Sequence, residues 1–123
     1  MEFDELSKKV IGCAIEVHRN LGPGLLESAY QKCLVFELNQ AKIPHEIEVP
    51  LPLLYKGMQL DCGYRMDILV AKQLVVELKC VESLMGIHTA QILTYMKLGH
   101  YSTGLLLNFN VELMKNGIKR IVL

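Results

Sequence analysis

The chain has 123 residues, 51% of them hydrophobic and 21% charged, with thirteen basic and thirteen acidic side chains. That is enough for one domain with a real core and too little for two. Cancelling charges argue against a protein that coats nucleic acid non-specifically, and no apolar run approaches the roughly 20 residues of a membrane span, so no membrane partner is expected.

The opening stretch, MEFDELSKKV, is acidic and amphipathic, unlike a secretory leader with its basic start and apolar middle, and it points to the cytoplasm. Val10, Ile11, Ala14, Ile15 and Leu21 share one stripe at helical spacing, which predicts a first helix from about Asp4 to Leu21. Gly22, Pro23 and Gly24 end it with a cap and a break. A second helix is expected from about Leu25 to Ala41, with Leu26, Tyr30, Cys33, Leu34 and Leu38 on its inner face.

From Pro44 the period changes to two. Ile47, Val49, Leu51 and Leu53 alternate, while Pro50 and Pro52 indicate an edge strand or irregular pairing. Lys56-Gly57 marks a turn, a second strand runs from Tyr64 to Val70, and a turn at Ala71-Lys72-Gln73 leads into a third, LVVELKC. These three neighbours read as an antiparallel meander. GIHTAQILTYMKLGH returns to helical spacing over 88–98, with Ala90, Leu93, Tyr95, Met96 and Leu98 as contact candidates. It serves as the crossover to an apolar strand from Thr103 to Phe109, and GIKRIVL closes the chain as an edge strand. The fold class is α/β: helices covering a small mixed sheet in a single domain, residues 1–123.

Cys13, Cys33, Cys62 and Cys80 are far apart and form no CxxC pair, so they read as free thiols in a reducing compartment. His18 fits a packed or boundary position, and His45, His88 and His100 have no metal-ligand spacing. Ser28 lacks an acyl-transfer context, and no Lys-Ser/Thr follows the Gly-Pro-Gly turn to make it a phosphate loop.

The chemistry concentrates around LVVELKC. Glu77 and Lys79 interrupt an apolar strand two residues apart and project on one side of it. Charge in such a place is costly unless it is paired or bound. Asp67, on the preceding strand, can be brought opposite Glu77 by the hairpin. Glu27 opens the second helix, where the helix dipole favours an acid. Two or three carboxylates at one point suit an oxygen-loving cation such as Mg²⁺, and Lys79 could position a water or offset charge on a phosphate. The plainer reading makes Glu77 and Lys79 a same-face pair on an exposed side.

Asp67 followed by Glu77-x-Lys79 on successive strands, behind a helix bearing Glu27, resembles the PD-(D/E)xK nuclease superfamily. Its core order of helix, three strands, helix and strand is the order read here. GLLESAY, with Gly24, Glu27 and Tyr30, further resembles the signature of the GxxExxY family within that superfamily. The resemblance extends from about residue 10 to the C-terminus. Gln91 and Tyr95, on one face of their helix, are similar to glutamine and tyrosine residues that follow the E-x-K strand in one branch of the superfamily. Met66 stands where the superfamily name has proline, and no cysteine pattern matches the iron–sulfur cluster of some relatives.

This resemblance implies a PD-(D/E)xK nuclease-like core and a nuclease (a phosphodiesterase) dependent on Mg²⁺ or Mn²⁺. Asp67, Glu77 and the Leu78 carbonyl would be metal ligands, with Glu27 direct or through water. Lys79 would act on the attacking water or the charged transition state. Gln91, Tyr95 and Tyr30 would contact the substrate, DNA ahead of RNA, and the products would carry a 5′-phosphate and a 3′-hydroxyl. Two rivals stand beside it: a non-catalytic module of the same fold that binds nucleic acid or protein, and a homo-oligomer whose acid cluster is structural.

Overall fold

The computed structural model describes residues 4–123. Asp4 accepts a hydrogen bond from the Ser7 backbone N–H at 2.7 Å and so caps helix α1, Glu5–Leu21, satisfying a donor that has no partner within the helix. Gly22 and Gly24 have φ of +66° and +102°, a conformation that glycine adopts without strain, and Gly22 returns its N–H to the His18 carbonyl. This turn leads into helix α2, Glu27–Gln40.

Five strands form the main sheet in the order β1-β4-β5-β6-β7: β1 His45–Pro50, β4 Arg65–Val70, β5 Leu74–Lys79, β6 Thr103–Asn108 and β7 Ile118–Val122. The expected meander is present, since β4 pairs antiparallel with both β1 and β5. Helix α3, Gly86–Gly99, carries the chain from β5 to β6, which run parallel, and β7 closes the far edge antiparallel.

Alternation along the central strands divides the core in two. Leu74, Val76, Leu78, Leu105 and Leu107 pack under α1 and α2 with Val10, Ala14, Tyr30, Leu34 and Phe109. Val75, Leu106 and Ile121 pack with Ile92, Tyr95 and Met96 of α3 on the other side. His18 is buried, as expected, with its Nε2 2.7 Å from the Val111 carbonyl oxygen.

The region around Pro50 departs from the simple alternation expected of it. Strand β1 ends at Pro50, Leu51 is buried on the α3 side, and the chain then makes a separate hairpin of β2 Leu53–Tyr55 and β3 Met58–Leu60. Lys56 and Gly57 both have positive φ, +49° and +81°, between the paired Tyr55 and Met58. Two such residues make the turn whose twist matches that of a tight hairpin. Two prolines within three residues break the ladder, so one period-two run becomes two short elements.

The candidate metal and phosphate site

The β4–β5 ladder pairs Val70 with Leu74, Leu69 with Val75 and Ile68 with Val76, and goes no further. Where the strands part, carboxyl groups take over from backbone partners. Asp67 Oδ2 accepts the Leu78 backbone N–H at 2.9 Å, and Glu77 Oε1 accepts the Asp67 backbone N–H at 3.3 Å. A residue's N–H and C=O project to the same side of a strand, so the Leu78 carbonyl also faces this fork.

Strand β4 also turns over at Asp67. Ile68 and Val70 belong to the core under α1 and α2, whereas Met66 packs on the α3 side with Val49 and Tyr95. Asp67 lies at the crossing point, half-buried, and lines an open cleft of about 660 Å³ with Glu27, Gln31, Glu48, Leu78 and Cys80.

Glu77 is only 3% exposed, which removes the exposed same-face pair as a reading of this strand. Burial first, then the hydrogen bond and charge of the neighbouring Asp67 carboxyl, push its pKa up to about 9. At neutral pH the Glu77 carboxyl therefore keeps its proton beside Asp67.

Lys79 does not pair with the acids. Among the described residues the ion pairs join Lys8 to Glu5, Arg19 to Glu16 and Arg120 to Asp4. Lys79 Nζ instead donates to Gln91 Oε1 at 2.9 Å, and Gln91 Nε2 donates to the Tyr95 hydroxyl at 3.1 Å. The i, i+4 spacing on α3 thus produces a continuous line from strand to helix. Burial and then the charge of Glu77 raise the Tyr95 pKa, which keeps its hydroxyl protonated.

Glu27 reaches the site from α2, where Oε1 accepts the Cys80 backbone N–H at 3.1 Å. The expected convergence of three carboxylates resolves into an adjoining pair, Asp67 and Glu77, with Glu27 tied to the end of β5. Among the described residues, no three Asp, Glu, His or Cys side chains gather closely enough to hold one ion. Tyr30 is placed behind the cleft: it is fully buried, stacked on Phe109 with ring centroids 4.5 Å apart. Its hydroxyl donates to the Gly22 carbonyl and accepts the Leu25 N–H at 3.2 Å, so it braces the Gly-Pro-Gly turn and has no exposed surface for a substrate.

Gln31 and Glu48 are cleft residues that the sequence reading passed over. Gln31 lies four residues after Glu27, and that shared helix face was the available signal. Glu48 looked like an ordinary polar position on an edge strand, and nothing local marks it.

The donor set suits a divalent cation of the hard class. It consists of oxygens alone: two adjoining carboxyl groups, a carbonyl facing the same fork, and the Glu27 carboxyl lining the same cleft as Asp67. A family model described as the PD-(D/E)XK nuclease superfamily matches residues 4–121. No curated protein and no solved structure matches the chain.

Proposed function

The chain belongs to the PD-(D/E)XK nuclease superfamily, and on that premise we propose that it is a Mg²⁺- or Mn²⁺-dependent nuclease hydrolysing phosphodiester bonds, in DNA ahead of RNA. Membership carries the general expectation of a nucleic-acid substrate and a divalent metal. The GxxExxY branch is supported by Gly24, Glu27 and Tyr30 at that family's spacing. A cytoplasmic setting agrees with the free thiols, and no helix among the described residues is long and apolar enough to cross a membrane.

The observation that carries the reading is the Asp67–Glu77 carboxyl pair at the β4–β5 fork, with Lys79 two residues on and linked to Gln91. Asp67, Glu77 and the Leu78 carbonyl would hold the cation, and Glu27 would bind through water. A bound cation supplies a Lewis acid and lowers the pKa of water. Lys79, whose Nζ is held by Gln91 of α3 at the end of β5, would orient the attacking water and stabilise negative charge developing on the phosphoryl oxygens. Gln91 holds Lys79 in that position, and the Tyr95 hydroxyl extends the same line as a donor toward the substrate backbone. Glu77 would have to release its proton to solvent for a cation to be held there, because the proton and the cation compete for the same oxygens.

The test is incubation with end-labelled single- and double-stranded DNA and RNA, with Mg²⁺, with Mn²⁺ and with EDTA. Cleavage that needs the metal and leaves a 5′-phosphate is the expected result. No metal-dependent cleavage of any of the four substrates would overturn the catalytic reading and favour a binding module of the same fold.

A further inference from the structure

The β1–β4 ladder runs from His45 opposite Val70 to Ile47 opposite Ile68, resumes at Val49 opposite Met66, and skips the pair between them. The skipped pair is Glu48 and Asp67. Glu48 has φ of +49°, in the left-handed region that a residue with a side chain rarely adopts. At the level of Asp67, then, the edge strand is bent out of the geometry that would make a normal rung.

A helix side chain spans that gap. Gln31 Nε2 donates to the Asp67 backbone carbonyl at 3.1 Å and to Glu48 Oε1 at 3.0 Å. Both partners are acceptors, so the chemistry fixes which end of the amide faces them. Gln31 lies one helical turn beyond Glu27, whose carboxylate holds the Cys80 N–H. Helix α2 is therefore tied to the cleft twice, once to the end of β5 and once to the peptide that carries Asp67.

We infer that Gln31 is a positioning residue for Asp67, replacing the missing β1 rung with a side-chain rung that orients the Asp67 carboxylate toward a bound divalent cation. Glu48 anchors the same amide from the other side. The inference rests on the proposed role of Asp67 as a metal ligand. Hydrogen-bond partners just outside the ligand set matter because a carboxylate free to rotate binds a cation less well.

The experiment uses Mn²⁺ as the probe, with Gln31→Met, Gln31→Lys and Glu48→Ala. Methionine keeps the length of glutamine without its donors, and lysine restores a long donor facing two acceptors. Thermal melts over a Mn²⁺ titration read metal binding without turnover, melts in EDTA read the fold, and cleavage over the same titration reads the site. Gln31→Met is expected to raise the half-saturating Mn²⁺ concentration by about 10- to 100-fold in both titrations. Gln31→Lys should recover most of that loss, and Glu48→Ala should show a smaller one, because the bond to Asp67 remains. A Gln31→Met protein with the wild-type Mn²⁺ midpoint overturns the inference, whether or not its melting temperature in EDTA has fallen. So does a Gln31→Lys protein no better than Gln31→Met. Wild-type protein that neither cleaves nor responds to Mn²⁺ overturns the metal site itself, and this inference with it.

Discussion

Glu77 accepts the backbone N–H of Asp67 through Oε1 at 3.3 Å, while Asp67 Oδ2 accepts the Leu78 N–H at 2.9 Å where β4 and β5 part. A charge cluster expected to be three carboxylates is thus relieved by a proton. Glu77 keeps it because burial disfavours the ionised form and Asp67 lies beside it.

That proton has a consequence for stability without metal. In the unfolded chain Glu77 ionises near its ordinary value of 4.5, whereas in the folded protein it does so at about 9. Below both values the two states hold the proton equally. Between them the folded state holds one more proton than the unfolded state, so stability falls as pH rises, by up to about 1.4 kcal/mol per pH unit. Glu77→Gln cannot titrate. Denaturant unfolding of both proteins in EDTA, from about pH 5 to about pH 9, should show the wild type losing stability relative to Glu77→Gln. A flat difference would mean that Glu77 titrates normally.

Metal binding should run the other way. If a bound cation displaces the Glu77 proton to solvent, apparent Mn²⁺ affinity should rise about tenfold per pH unit between roughly pH 6 and pH 8. Mn²⁺ at a hundredfold excess over its Kd should stabilise the native state by about 2.7 kcal/mol. Thermal melts with and without Mn²⁺ at each pH measure this. A Glu77→Gln protein with the same Mn²⁺ response and the same pH dependence would remove Glu77 from the ligand set.

Asp67→Asn removes one charge at nearly constant shape, and its amide oxygen can still accept the Leu78 N–H. Melting in EDTA at or above the wild-type temperature is expected, with a much reduced Mn²⁺ shift and no metal-dependent cleavage. An ion-pair scaffold predicts the reverse: a lower melting temperature, and no response to metal in either protein.

Lys79→Ala separates binding from chemistry. Lys79 bonds Gln91 at a solvent-exposed position, so its loss should change stability by less than about 1 kcal/mol. Mn²⁺ stabilisation should be retained while the cleavage rate falls by about 10²- to 10³-fold. Lost metal binding would place Lys79 among the groups that shape the metal site instead.

Two tyrosines, each changed to phenylalanine, should behave differently. Tyr30→Phe leaves the Gly22 carbonyl and the Leu25 N–H without their partner, which should destabilise the fold by about 1–3 kcal/mol. Once the variant is folded, its substrate affinity should match the wild type. Tyr95→Phe loses one bond to Gln91, should cost about 0.5–1.5 kcal/mol, and should also lower rate or affinity. Unchanged cleavage by Tyr95→Phe would make its hydroxyl a packing feature only.

Much of this was legible along the chain. Helical spacing, the Gly-Pro-Gly break and the change to period two at Pro44 gave the helices and the meander, because each follows from local sterics and from which face is apolar. The D…ExK order marked Asp67, Glu77 and Lys79 as candidates, and i, i+4 spacing marked Gln91 and Tyr95. The structure joins Asp67 to Glu77, and Lys79 to Gln91 and Tyr95. Tyr30 stands on the other side of that line. Its place in a GxxExxY signature suggested a substrate contact, but whether a tyrosine on a helix faces solvent or core depends on what packs there, and here that is Phe109.

The sequence by itself determined the element order, the sheet that results and the residue types able to bind a hard cation, since these depend on hydrophobic period and side-chain chemistry. Tertiary structure decided what those residues do to one another. Only the parting of β4 from β5 brings Asp67 beside the buried Glu77 and so raises the Glu77 pKa. Only the bend at Glu48 gives Gln31 a gap to span, 36 residues away from Asp67 in the chain. Such contacts join elements remote in sequence, and their energies depend on burial and distance, which no local pattern encodes.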